Sequence, residues 1–249
     1  MKFISIINDI MRKEYIIIAI LITVIIFFSA LIVNEVAFKE DFDNNTIQHE
    51  TIANNTDDPG TVEVIRNIGN PNGKKIAYVV GVHPLEYQTH QTLVKMLPNI
   101  TNLNNCYDIY IINVTEDVGY YGDGSSDNSL GRQNGQNLAY KYVYPEILKD
   151  SYDLVIDIHS NVGAYEYKTF VFSPVKEGLA NKYANQIALK NENISYFAPD
   201  STTSGPYLTI PLNENGIPAF YFEEYSFASQ DIKDAHMLEL ISNVDELFS

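Results

Sequence analysis

Two short runs, Ile76–Gly81 and Leu154–Ile158, are apolar almost throughout, and a histidine lies just past the end of each. Ile76-Ala-Tyr-Val-Val reads as a buried strand that stops at Gly81, with His83 and Glu86 directly beyond it. Leu154-Val-Ile-Asp-Ile reads as a second buried strand, with His159 at its C-terminal end. Further strands are expected at 61–68, 107–114, 167–173 and 220–225, and helices near 87–97, 138–149, 175–190 and 231–248. The strands at 61–68 and 75–80, joined across Asn70-Pro-Asn-Gly73, are expected to form a hairpin. Residues 119–137 are expected to be a loop. Strands alternating with helices predict a three-layer α/β/α domain with a mostly parallel mixed sheet. Roughly 190 residues suffice for one domain with a sizeable core.

In an open α/β sheet, ligands gather beyond the carboxyl ends of the strands. Two imidazoles and one carboxylate there make a three-ligand metal site with a position left open for water. Residues three apart at a helix start share a face, so His83 and Glu86 reach one ion from a single turn. A single histidine at a strand end is more often structural than a ligand. The chain has only 5 histidines, and two of them end expected strands. Of the others, His49 lies in a polar stretch, His90 lies one helical turn past Glu86 and is expected at the surface, with support of the ligands as the alternative, and His236 sits in a C-terminal helix. Asp157 lies two residues before His159 on the same strand face, where its carboxylate is placed to fix the tautomer of a ligand histidine. The bland alternative is an acid that merely ends a strand.

Gly81-Val-His83-Pro-Leu-Glu86, then Asp157-Ile-His159-Ser160, then Gly216-Ile-Pro-Ala-Phe-Tyr-Phe-Glu223 resemble the zinc carboxypeptidase superfamily, which includes the aspartoacylase and succinylglutamate desuccinylase branch. The likeness covers about residues 61–249. It implies one zinc ion on His83, Glu86 and His159, and a catalytic base on Glu223. Glu224 is the fallback, because adjacent strand residues face opposite sides and only one of the two can enter the site. Gly131-Arg-Gln-Asn-Gly-Gln-Asn-Leu138 resembles the family stretch whose arginine polarises the scissile carbonyl, which assigns that role to Arg132. Asn134 in the same stretch, and Tyr207 in Ser204-Gly-Pro-Tyr207, are candidates for supporting the ligands or contacting substrate. There is one departure from the family pattern. Where an Asn-Arg pair would grip a substrate's terminal carboxylate, this chain has Ala139-Tyr140, and Lys141 offers only a point charge.

Residues 15–33 are apolar apart from Thr23 and Ser29, long enough to cross a hydrocarbon core. Lys2, Arg12 and Lys13 precede the run, which places the N-terminus in the cytoplasm and the rest outside. The expected organisation is a cytoplasmic segment 1–14, a transmembrane anchor 15–36, a flexible acidic stalk 37–60 and a hydrolase domain 61–249. A cleaved signal peptide is the rival reading of the run. The net charge of −16 argues against a nucleic-acid partner, which needs basic patches. Cys106 stands alone, so no disulfide framework is expected. The sequence thus points to a membrane-anchored, outward-facing zinc peptidase or amidohydrolase. Deacylation of N-acyl amino acids is a second enzymatic reading, and a non-catalytic surface binding module a third. The expected partners are a peptide or acyl-amino-acid substrate and, through the N-terminal helix, the membrane.

Overall fold

The structure, a computed structural model, describes residues 46–54, 57–119 and 129–248, together with Ile25 and Ser29. The chain divides into two compact units, Met1–Thr46 and Ile47–Ser249. The anchor expected over 15–36 lies outside the described residues except at Ile25 and Ser29. Among the described residues, no helix is long and apolar enough to cross a membrane.

The second unit is built on a sheet of eight strands: β1 Gln48–Asn54, β2 Gly60–Gly69, β3 Lys75–Val80, β4 Cys106–Val114, β5 Leu154–Asn161, β6 Phe170–Phe172, β7 Ser195–Tyr196 and β8 Ala219–Tyr225. Their spatial order is β1-β2-β4-β3-β5-β8-β6-β7. The middle strands β4, β3, β5 and β8 run parallel, while β1, β2 and β6 join antiparallel. Helices α1 Tyr87–Met96, α2 Ser129–Leu138, α3 Tyr144–Lys149, α4 Leu179–Lys190, α5 Thr209–Glu214 and α6 Gln230–Asp245 cover the sheet. A π-helical turn, Ala139–Val143, links α2 to α3.

Period-two alternation in the central strands feeds two cores. Tyr78, Ile156 and Phe222 pack with Leu93 of α1, Ile187 of α4 and Leu240 of α6. Ala77, Val79 and Val155 pack on the other face with Leu138 of α2, Ile147 of α3 and Leu212 of α5. Both faces of the sheet are therefore covered, as the apolar runs of β3 and β5 require. The expected three-layer arrangement with a mixed sheet is present.

Three expectations are corrected. β2 and β3 are not a hairpin, because β4 lies between them. The Asn70–Gly73 turn is bonded to the start of β4 instead, through Asn70 N to Asn105 O and Cys106 N to Lys74 O. Part of the stalk is ordered: residues 48–54 form β1 at the sheet edge, where Gln48–Thr51 are exposed and show no apolar alternation. The second half of the expected 119–137 loop is helix α2. Its glycines serve close packing. A Cβ on Gly131 would stand 2.2 Å from the Asp117 carbonyl oxygen, and one on Gly135 2.1 Å from that of Val82.

Candidate metal centre

The site forms where β3 and β5 end. After β3 the chain turns at Gly81, whose φ of 92° and close approach to the Ile112 carbonyl exclude a side chain. His83 is extended, and Pro84–Glu86 make a single 3-10 turn leading into α1. Side chains three apart eclipse in such a turn, so His83 and Glu86 point the same way. β5 delivers His159 from the neighbouring strand. Donor atoms of His83, Glu86 and His159 all lie within 4.8 Å of one another, and all three residues are buried. His83 Nδ1 is 3.0 Å from Glu86 Oε1, and His159 Nδ1 is 3.0 Å from Glu86 Oε2. The two Nδ1 atoms are 3.0 Å apart.

These residues fit a metal ion. Two ring nitrogens that face each other beside one carboxylate are a donor set that a shared cation such as zinc would hold together. The outer nitrogens are also supported. His159 Nε2 lies 3.0 Å from Asp157 Oδ2, an ion-pair contact outside hydrogen-bonding geometry. Gln136 Nε2 lies 3.4 Å from His83 Nε2. With Nδ1 on a metal, His83 Nε2 carries the hydrogen, and the Gln136 amide then presents its oxygen.

The electrostatics favour positive charge between the ligands. Burial works against an ionised Glu86, but His83 and His159 outweigh it and hold the carboxyl well below its usual range. Burial likewise opposes a charged His159, and Asp157 with Glu86 outweighs that, holding the imidazole well above its ordinary value. His83 is pushed down by burial, with Glu86 opposing. Burial pushes His90 down to about 4, so it is neutral at physiological pH.

A cleft of about 360 Å³ opens over this cluster. Glu223 enters it from β8, and burial pushes its carboxyl up to about 8, with His159 opposing and Glu86 and Asp157 reinforcing the rise. Its Oε2 is buried without a hydrogen-bond partner among the described residues. Arg132 also lines it, with Nη1 3.5 Å from Glu86 Oε1 and Nη2 3.1 Å from Thr203 Oγ1. An acid, a guanidinium and a metal-type ligand set thus share one opening.

Two expected contributors are elsewhere. Asn134 is not among the cleft residues; two positions from Arg132 on α2, it faces away, whereas Gln136 at i+4 shares the Arg132 face. Tyr207 is not in the cleft either, and its hydroxyl accepts from Gln133 Nε2 at 3.0 Å. Lys141 is paired with Asp58 and does not line the cleft. Residues that the sequence reading passed over take part instead. Tyr165 and Thr203 form walls, and Tyr221 lies beneath, its ring 5.5 Å from that of His159. Tyr221 was detectable by period two from Glu223; Tyr165 carries no such signal.

The fold is shared with solved structures of metallopeptidases and carboxypeptidases. The metallo-carboxypeptidase from Burkholderia cenocepacia superimposes with a TM-score of 0.51 at 14% identity, covering 80% of this chain and 65% of that one. A protein from Burkholderia mallei assigned as a carboxypeptidase gives 0.50 at 13%, covering 80% and 63%. A protein from Shewanella amazonensis assigned as a metallopeptidase gives 0.49 at 10%, covering 85% and 91%. This chain therefore spans somewhat under two thirds of the length of the two Burkholderia proteins. No family profile and no curated protein sequence matches it.

Proposed function

We propose that the chain is a zinc-dependent hydrolase of amide bonds in peptides, tethered by residues 15–36 with its catalytic domain outside the cell. The observation that carries this reading is the shared cleft, in which Glu223 and Arg132 face the His83, Glu86 and His159 cluster. His83, Glu86 and His159 would hold the ion. When bound, zinc supplies a Lewis acid and makes water a competent nucleophile near neutral pH.

Glu223 accepts a proton from the attacking water and delivers it to the leaving nitrogen. Burial pushes that carboxyl up to about 8, and a cation on the three ligands would draw it back toward the ionised form that a base requires. Arg132 donates to the carbonyl oxygen as negative charge develops there. Thr203 holds the guanidinium from one side. Asp157 orients His159, and Gln136 orients His83. The external address rests on the apolar run and its flanking lysines and arginine, and it makes cell-wall or extracellular peptides the natural substrates.

The test is turnover of wall-derived peptides by the full chain, with products followed by mass. Cleavage that disappears with a chelator and returns with zinc supports the reading. A zinc-loaded chain that binds such peptides and cleaves none contradicts it, and leaves a binding module.

A further inference from the structure

His90 follows Glu86 by one helical turn and lies on the same face of α1. It is buried, and the mechanism above gives it no task. Its surroundings give it one. The parallel ladder between β3 and β5 stops at the pair Val79–Asp157, because β3 ends and the chain turns off at Gly81. β5 continues to Asn161, so its last residues lose their strand partner on that edge. Buried backbone groups left this way need partners. Two side chains of the α1 region supply them. His90 Nε2 donates to the Ile158 carbonyl oxygen at 3.0 Å, and Glu86 Oε2 accepts from Ser160 N at 2.9 Å. Residues 158 and 160 are two apart and so present their backbone groups to one edge. The two bonds bracket His159.

We propose that His90 is a positioning residue of the metal centre: with Glu86 it replaces the missing strand and fixes the tip of β5, so that His159 Nδ1 stays within reach of Glu86 and His83. One helix face thereby sets the spacing between ligands that are 73 residues apart in sequence. His90 reaches the ion only through the Ile158 backbone, and its 4.0 Å separation from Glu86 Oε2 is too long for a hydrogen bond. The inference rests on the metal-site reading and adds to it the element that holds the site in register.

The test measures zinc Kd of the full chain by competition with a chromophoric chelator, alongside the visible spectrum of the cobalt(II)-substituted protein. His90→Leu keeps bulk but removes the donor, while His90→Gln retains an N–H at similar reach. His90→Leu is expected to raise Kd about 10- to 100-fold and alter the cobalt spectrum, and His90→Gln to stay within about threefold of wild type. Wild-type Kd and spectrum in His90→Leu, with metal lost in His83→Ala, overturn the proposal and leave the metal site intact. Wild-type Kd in His83→Ala and His159→Ala overturns the metal site itself, and His90 with it. If leucine unfolds the chain, His90→Asn, one methylene too short, is read against His90→Gln. Weak binding in the first and near-normal binding in the second is expected, and equal Kd values overturn the proposal.

Discussion

Glu223 stands level with His159, its register partner across β5 and β8, while the adjacent Glu224 turns to the opposite face. Glu223 enters the cleft. Glu224 is 1% exposed and fully engaged: Oε1 accepts from Thr169 Oγ1 at 2.9 Å and Tyr225 N at 2.7 Å, and Oε2 lies 2.8 Å from His236 Nδ1. Two neighbouring acids therefore have opposite surroundings, one the cleft and the other a hydrogen-bonded interior.

Glu223→Gln is expected to lower turnover about 10²- to 10⁴-fold, since an amide cannot take the proton, with metal content and thermal midpoint retained. Glu224→Ala is expected to cost about 1–3 kcal/mol of stability, because it strands buried donors. Denaturant titration and kcat of both variants decide this. Lost activity with intact stability in the Glu224 variant would mean the register is read one residue off.

The same pair predicts a pH dependence. The hydrogen bond to Glu224 raises the His236 imidazole above its usual value, against burial. A folded value above the unfolded one means that protonated His236 stabilises the fold fully below an unfolded value of about 6.5, and that this contribution fades as pH climbs through the raised value. Thermal midpoints of wild type should fall over that window more steeply than those of His236→Gln. Parallel curves would show that the pair adds nothing.

Arg132→Ala is expected to cut kcat by about 10²- to 10³-fold while zinc stays bound. Lysine should restore little, because a point charge lacks the planar fork that donates to the carbonyl oxygen. A rate within threefold of wild type in Arg132→Ala would reduce Arg132 to a wall of the cleft.

Specificity follows from what else lines the cleft. Among the described residues, Arg132 is the one arginine or lysine that lines it. Tyr140 is exposed, and Lys141 is committed to Asp58. With no second arginine or lysine to receive a free C-terminal carboxylate, amidating the C-terminus of a good peptide substrate should change kcat/KM by less than about tenfold, roughly 1.4 kcal/mol. A thousandfold loss would reveal a carboxylate clamp after all.

The sequence makes the His83, Glu86 and His159 cluster legible because the chemistry of a metal site restricts residue type, and because the histidines follow strands whose apolar runs end abruptly. Glu223 is legible from the motif, and strand alternation sets it apart from Glu224. Helix α2 is not legible. Gly131 and Gly135 look like loop residues, yet they let the helix approach the Asp117 and Val82 carbonyls, and Gln136 is hidden with them. β1 escapes because an exposed edge strand needs no apolar alternation. The separation of β2 from β3 escapes because a local turn signal says nothing about a third strand inserted between them. Helical spacing from Glu86 leaves His90 open between the surface and support of the ligands, because its partner, the Ile158 carbonyl, is a backbone group 68 residues away.

Metal content of the purified full chain bears most directly on the site. Elemental analysis should find about one zinc per chain, and His83→Ala and His159→Ala should each deplete it, since three such ligands define a catalytic site with one open position. Full zinc occupancy in both variants, with the fold intact, would contradict the assignment of His83, Glu86 and His159 as the metal centre.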